Sequence, residues 1–524
     1  MQTTAVPSKA PPRVPDIAEE PQADGSSHVP IEVLVETAAP TTHAASRVAF
    51  ARHLVVFSMA NLAALAANGV LTFLLPRLLT VENYGLYRLF ILYGGFTGVF
   101  HLGLLDGALI RWSAQPRESL PREFSAVTTF LLVQQCVLLP LGLFVVWIVL
   151  GGSAWMWLAL SVGCYALVWN WATLSQCALQ AARQFGWLSF FTLLNPVVLL
   201  MSVLALHWVR RLTLGALVTA FIFSWLGSAL GSWIFLRRSF AGPVLRPKVV
   251  WELGAASLRL GWAVLLANCF TALAIAADRL FVSAAFPIRE FAIYGFAANA
   301  LAVVNTLILS MARVVFPYLS DGVSAETRIR AYAWGEATLV GLWAMSLAGY
   351  FPLRALILLL LPAYASSLPI LRVLMLATGL TGPIYILHAN YFRCSLRQGR
   401  LLIGAGVGLT AAALFLSGAL HTGKLENMAW AMLASTALWW LADELLLRGL
   451  TERSIWAVLR TLLVGTFAGA WFIFCAGRNS LYVGLLAYCG VAVVLVLLAF
   501  RSTFDAMRDQ GVLQIPRLSF PTYR

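Results

Sequence analysis

Asp278 and Arg279 stand side by side in IAADRLFV, residues 275–282, at the end of a long apolar run. An ionisable pair inside hydrocarbon is expensive, and marks a partnered site, a substrate or ion path, or a proton relay. Other polar residues recur on single faces when the chain is wound at about 100° per residue. One segment aligns Gly295, Asn299, Thr306, Ser310, Arg313 and Pro317. Others align Asn61, Asn68 and Thr72; Arg88, Gly95 and Asp106; Trp169, Thr173, Gln176, Gln180 and Arg183; and Ser257, Gly261, Asn268 and, more loosely, Thr271 and Asp278. Such faces point to a bundle interior or a watery cavity. The plainer reading makes Asn, Ser and Thr hydrogen-bonding glue between helices. Arg88 and Arg183, near segment ends, also fit snorkelling. His101 and His388 read as packed neutral histidines.

Catalytic patterns are absent. GALHTGKL (418–425) nearly spells a phosphate-binding loop, but no Ser or Thr follows Lys424 and no strand–loop–helix in water holds it. GAGVG (404–408) is a small-residue packing face. The seven cysteines fall in or beside apolar segments without metal-ligand spacing and read as small core residues.

The elements that position these faces follow from composition. The chain of 524 residues is 60% hydrophobic and only 11% charged, against about 25% charged in soluble proteins. Apolar stretches long enough to span a bilayer recur along it. They predict an all-α polytopic membrane protein of about fourteen helices, near 54–79, 86–112, 122–150, 154–181, 187–208, 212–236, 253–280, 290–318, 327–360, 367–395, 401–420, 427–449, 456–476 and 480–500. Continuous apolar runs without period-2 alternation exclude a barrel. Loops at one end carry Arg117, Arg122, Arg237, Arg238, Arg328, Arg330, Arg397, Arg400, Arg448 and Arg453, whereas the other end is poor in Lys and Arg. The asymmetry predicts a base-rich end in the cytoplasm with both termini. It accounts for most of the net charge of +14 and gives no reason to expect nucleic acid. Residues 1–46, rich in Pro, Ala, Ser and Thr, read as a disordered cytoplasmic tail without a cleavable signal.

PRLLTVENYGLY (76–87) is echoed by DRLFVSAAFPIREFAIYGF (278–296), and ARQFG (182–186) by LRQG (396–399). The echo pairs helices six apart, so two halves run the same way through the membrane, a transporter architecture. The expected organisation is an N-lobe at 47–236, a cytoplasmic linker at 237–252 and a C-lobe at 253–450. Two extra helices at 451–500 and a cytoplasmic tail at 501–524 complete it.

LPRLLTVENYGLYRLF, LGLLDGALIRW (102–112), ADRLFV followed by YGFAANAL, and VVFPYLS (314–320) resemble the polysaccharide-flippase branch of the multidrug/oligosaccharidyl-lipid/polysaccharide exporter superfamily. The ordered set covers roughly residues 54–400. Arg77 is followed by Leu78, where the related lipid II flippases usually carry Arg-Asp. The resemblance implies two six-helix lobes around a central cavity, with two extra C-terminal helices. It also implies outward movement of undecaprenyl-diphosphate-linked oligosaccharide across a bacterial inner membrane, with no enzymatic step and no cofactor. An H+ or Na+ coupling ion stays open. Expected partners are the lipid-linked oligosaccharide, membrane lipids, and a glycan polymerase with its assembly machinery. Arginine suits a diphosphate because its guanidinium pairs bidentately. The substrate-binding candidates are therefore Arg313, Arg259 and Arg77, with Asn68, Asn268, Asn299 and Gln176 for hydroxyls. Asp278, Arg279 and Asp106 are gate or coupling candidates, Asp278 pairing with Arg77 across the halves or locally with Arg279. The alternatives are a cation-coupled multidrug exporter of the same fold, or a membrane-embedded glycan polymerase or ligase.

Overall fold

The computed structural model describes residue 59 and residues 63–501, apart from 116–118, 152–154, 241, 302–324, 396 and 479. The described chain is helical, and helices fall where the apolar runs place them. The first half comprises α1 (Ala63–Leu78), α2 (Val81–Gly94), α3 (Leu104–Ala114), α4 (Leu120–Leu150), α5 (Met156–Ala181), α6 (Phe185–Trp208) and α7 (Leu214–Phe240). The second half begins with α8 (Pro247–Ala285) and α9 (288–301), then α10 (Ala325–Ala348) and α11 (Tyr350–Leu360). It continues with α12 (Leu368–Pro383), α13 (Ala389–Cys394), α14 (Gln398–Leu420), α15 (Leu425–Thr451), α16 (Ile455–Ala476) and α17 (Leu481–Ala499). Among the described residues ten helices are long and apolar enough to cross a membrane, or eleven if the bent α2–α3 pair counts as one span.

Local chemistry sets the boundaries. Thr80, Ser454 and Ser480 cap α2, α16 and α17 by accepting from the backbone N–H three residues on. Proline enters the first turns of α4, α8 and α12, where no helical N–H is lost. Because α7 runs to Phe240 and α8 starts at Pro247, the linker expected at 237–252 is mostly helix.

Two spans are less regular than their hydropathy. The run expected as one helix over 86–112 breaks by 61° between α2 and α3. A 3₁₀ turn (Thr97–His101) and Gly103 at φ +85° fill the break. The Gly103 N–H donates to His101 Nδ1 at 3.1 Å, so buried His101 pins the break as a neutral acceptor. The run expected over 367–395 contains a π turn, Ile384–His388, directly after Pro383. Proline leaves the carbonyl four residues before it without a partner, and local widening relieves the clash of its ring.

Candidate functional site

A cavity of about 260 Å³ lies between the two halves of the chain. α2 contributes Arg88, Ile91 and Leu92 to its wall, α8 contributes Ile275, Ala276 and Arg279, and α9 contributes Phe291 and Gly295. Apart from the two guanidiniums the lining is apolar or glycine. Arg88 Nε is buried without a hydrogen-bond partner, and so is Arg279 Nε. A guanidinium short of partners in an apolar wall is held at a cost that a bound anion would offset.

Arg279 is aimed by its surroundings. Its Nη2 donates to the Ile275 carbonyl at 3.0 Å, and its Nε lies 3.5 Å from Asp278 Oδ1. The Asp278 carboxylate is buried and accepts from the Tyr294 hydroxyl at 2.8 Å and from the Arg279 backbone N–H at 2.7 Å. Arg77, exposed near the end of α1, is not among its partners. The expected cross-half pair of Asp278 with Arg77 is therefore replaced here by the local one. A buried acid takes the nearest donors, and Tyr294 on α9 lies closer than a side chain at a helix terminus.

Contacts between the two halves flank the cavity. Asn299 Nδ2 donates to Thr72 Oγ1 at 3.1 Å, joining α9 to α1. Phe296 meets Phe73, Tyr84 and Tyr364, the last at 4.9 Å between ring centres. A Cβ on Gly85 would lie 2.7 Å from the Ile288 carbonyl, so α2 and α9 touch there. Toward the base-rich end, α3 crosses α8 backbone to backbone. A Cβ on Gly107 would overlap the Ser257 carbonyl, and one on Gly261 would overlap that of Gly103. Arg111 ties the crossing by donating to the Leu253 carbonyl at 2.9 Å and to Glu123 at 2.7 Å.

Of the residues singled out by sequence, Arg279 lines the cavity and Asn299 bonds to Thr72 of α1 across the halves. Arg88, which the sequence leaves open between snorkelling and a cavity-facing stripe, faces the cavity with Gly95, its neighbour on that stripe. Asn68 is exposed and donates within α1 to the Ala64 carbonyl at 2.9 Å, which is local bonding. Arg259 and Asn268 are exposed on α8, Gln176 is half-buried on α5, and Asp106 is half-buried in the first turn of α3. None of these five residues lines the cavity. Thr306, Ser310, Arg313 and Pro317 lie outside the described residues.

No family model matches the chain, and no curated protein matches it in sequence. Solved structures do match. A structure of the lipid II flippase MurJ in an inward closed conformation superposes with a TM-score of 0.64 at 12% identity, covering 86% of this chain and 100% of that one. Inward-facing and outward-facing forms of a multidrug resistance MATE family transporter of the MOP superfamily follow, with TM-scores of 0.51 and 0.53 at 12% and 13% identity. Each covers 76% of this chain and 96% of the transporter. The chain has the fold of the MOP-superfamily transporters.

Proposed function

We propose that the protein is a flippase for undecaprenyl-diphosphate-linked oligosaccharide, moving it from the cytoplasmic to the outer leaflet by alternating access. The observation that carries this reading is the pair Arg88 and Arg279, converging on an apolar cavity whose lining has no carboxylate. A diphosphate offers oxygens that two guanidiniums bind bidentately. Sugar hydroxyls cost several kcal/mol each in hydrocarbon without a partner, so a shielded route is needed for the head group. The lipid tail stays in the bilayer beside the halves. A cavity of 260 Å³ is below the ~300–1,000 Å³ of sites for drug-sized ligands. A cavity of this size can hold the diphosphate but not the sugars, and the halves must part further to admit them. An exporter of cationic drugs would need the opposite charge in this lining.

The test uses purified protein in liposomes and a fluorescent undecaprenyl-diphosphate oligosaccharide, with its transfer between leaflets measured. A hydrogen bond to a charged group contributes about 1.5–3 kcal/mol. Arg88→Ala and Arg279→Ala should therefore each slow transfer by at least about tenfold, with Lys at either position restoring part of it. Unchanged transfer by the double alanine variant overturns the assignment.

A further inference from the structure

Deep in the second half lies a charged cluster that the cavity does not use. His388, at the end of the π turn, is fully buried. Its Nδ1 lies 3.4 Å from Asp443 Oδ2 and its Nε2 lies 3.2 Å from Glu444 Oε1, both acids on α15. Tyr332 on α10 donates to Glu444 Oε1 at 2.7 Å. Arg453, in the connection between α15 and α16, donates to Glu444 Oε2 at 2.7 Å and also to Glu336 of α10. Thr461 of α16 donates to Glu336 at 2.8 Å. From α14, Gly404 packs against Asp443, and one turn away the Arg400 guanidinium donates to the Leu446 carbonyl. From the helix carrying His388, Tyr391 turns its hydroxyl to the Arg328 carbonyl.

Charge balance makes this cluster incomplete without labile protons. Three buried carboxylates, Glu336, Asp443 and Glu444, face one permanent cation, Arg453. A protonated His388 balances a second carboxylate, and a further proton balances the third. Geometry agrees. A neutral imidazole has one donor and one acceptor, so it can serve only one of two flanking carboxylates. Both ring nitrogens nevertheless lie within reach of a carboxylate oxygen. Either the ring or an acid therefore carries an added proton in this arrangement. When it leaves, a nitrogen lone pair faces a carboxylate lone pair and the His388–α15 contact loosens.

That contact reaches the cavity through the π turn. Ile384 and Tyr385 pack with Phe270, Ala274 and Ile275 of α8. Ile275 lines the cavity, and its carbonyl holds Arg279. The Tyr385 hydroxyl is buried without a partner. We infer that the His388–Asp443–Glu444 cluster is a proton-binding site, and that the π turn Ile384–His388 transmits its protonation to Arg279. The step is uptake of one H+ from water to form an N–H or O–H bond within the His388–Asp443 pair, and its later release. Among the described residues no group of three or more His, Cys, Asp and Glu is arranged to hold a metal ion.

The coupling part rests on the flippase reading, and the experiment separates the two. Wild type, His388→Gln and Asp443→Asn are reconstituted with the fluorescent undecaprenyl-diphosphate oligosaccharide. Counterflow without a gradient is compared with accumulation under an imposed pH gradient at zero membrane potential. One proton per cycle makes each pH unit worth about tenfold in accumulation. Wild type should show that dependence, and both variants should keep counterflow while losing it. A wild type indifferent to pH but driven by a Na+ gradient overturns the proposal, as do variants that respond like wild type. Infrared difference titration of the purified proteins tests the site without substrate. A protonated-carboxyl band that titrates in wild type should vanish in Asp443→Asn. If counterflow is absent in wild type, the flippase reading fails while the titration still decides the proton site. An identical titration in all three proteins removes it.

Discussion

Asp278 shows what one residue does when both plausible partners exist. Its oxygens accept from Tyr294 and from the Arg279 backbone, and its charge sits beside the Arg279 guanidinium. The acid therefore fixes the direction of a cation that faces the cavity. Tyr294→Phe leaves one buried carboxylate oxygen short of a donor, at about 1–3 kcal/mol, which should lower resistance to denaturant in a reconstituted unfolding assay. Asp278→Arg should stop transfer, whereas Arg77→Asp at the exposed end of α1 should have little effect. The double swap should be no better than Asp278→Arg alone. Recovery by the swap would instead place Arg77 opposite Asp278 during the cycle. The charged dipeptide in an apolar run was legible as a partnered pair, because an ionised group in hydrocarbon is costly without a partner. Arg88 was not, since a guanidinium seven residues into a helix reads equally as snorkelling or cavity-facing until the break after α2 shows which way it turns. Asp443 and Glu444 were hidden for another reason. Their partners His388, Tyr332 and Arg453 come from three other elements, and no spacing in the chain announces that meeting.

At the scale of elements, the interruptions in helices do most of the positioning. α2 lines the cavity with Arg88, and after a 61° bend α3 packs directly on α8. A continuous helix could not do both. Gly103, at φ +85° with the Gly261 backbone against it, fills a position where a side chain would be both strained and obstructed. Hydropathy could locate the span but not its break, because isolated glycines in apolar runs usually serve packing. The π turn was equally silent, with Pro383 its only advance sign. If the α3–α8 crossing is the closed gate at the base-rich end, wedging it should hold that end open. Gly107→Leu would push against the Ser257 carbonyl. The variant should make a cysteine at position 257, buried in the parent, reactive to a water-soluble maleimide. Absence of labelling with the protein intact would mean the crossing yields elsewhere and is not the gate.

Across the whole molecule, the sequence made the order of helices and the opposed charge of the two ends readable, since hydrocarbon thickness and loop charge act on every span alike. It could not show which residues of the two halves meet, which depends on contacts between residues some two hundred positions apart. Thr72 and Asn299 are such a pair, 3.1 Å apart between α1 and α9. The rings of Phe73, Tyr84, Phe296 and Tyr364 pack beside it. On the flippase reading the halves part in each cycle, and this contact between α1 and α9 breaks with them. No single hydrogen bond prevents that, because each contributes only about 0.5–1.5 kcal/mol. A covalent bridge would. With cysteines at 72 and 299 joined by a short bifunctional thiol reagent, transfer of the fluorescent lipid should stop and return on reduction. Each single-cysteine protein should keep after treatment the rate it had before. Full transfer by the bridged protein would show that the halves never part at this end, and that Arg88 and Arg279 do not lie on the route.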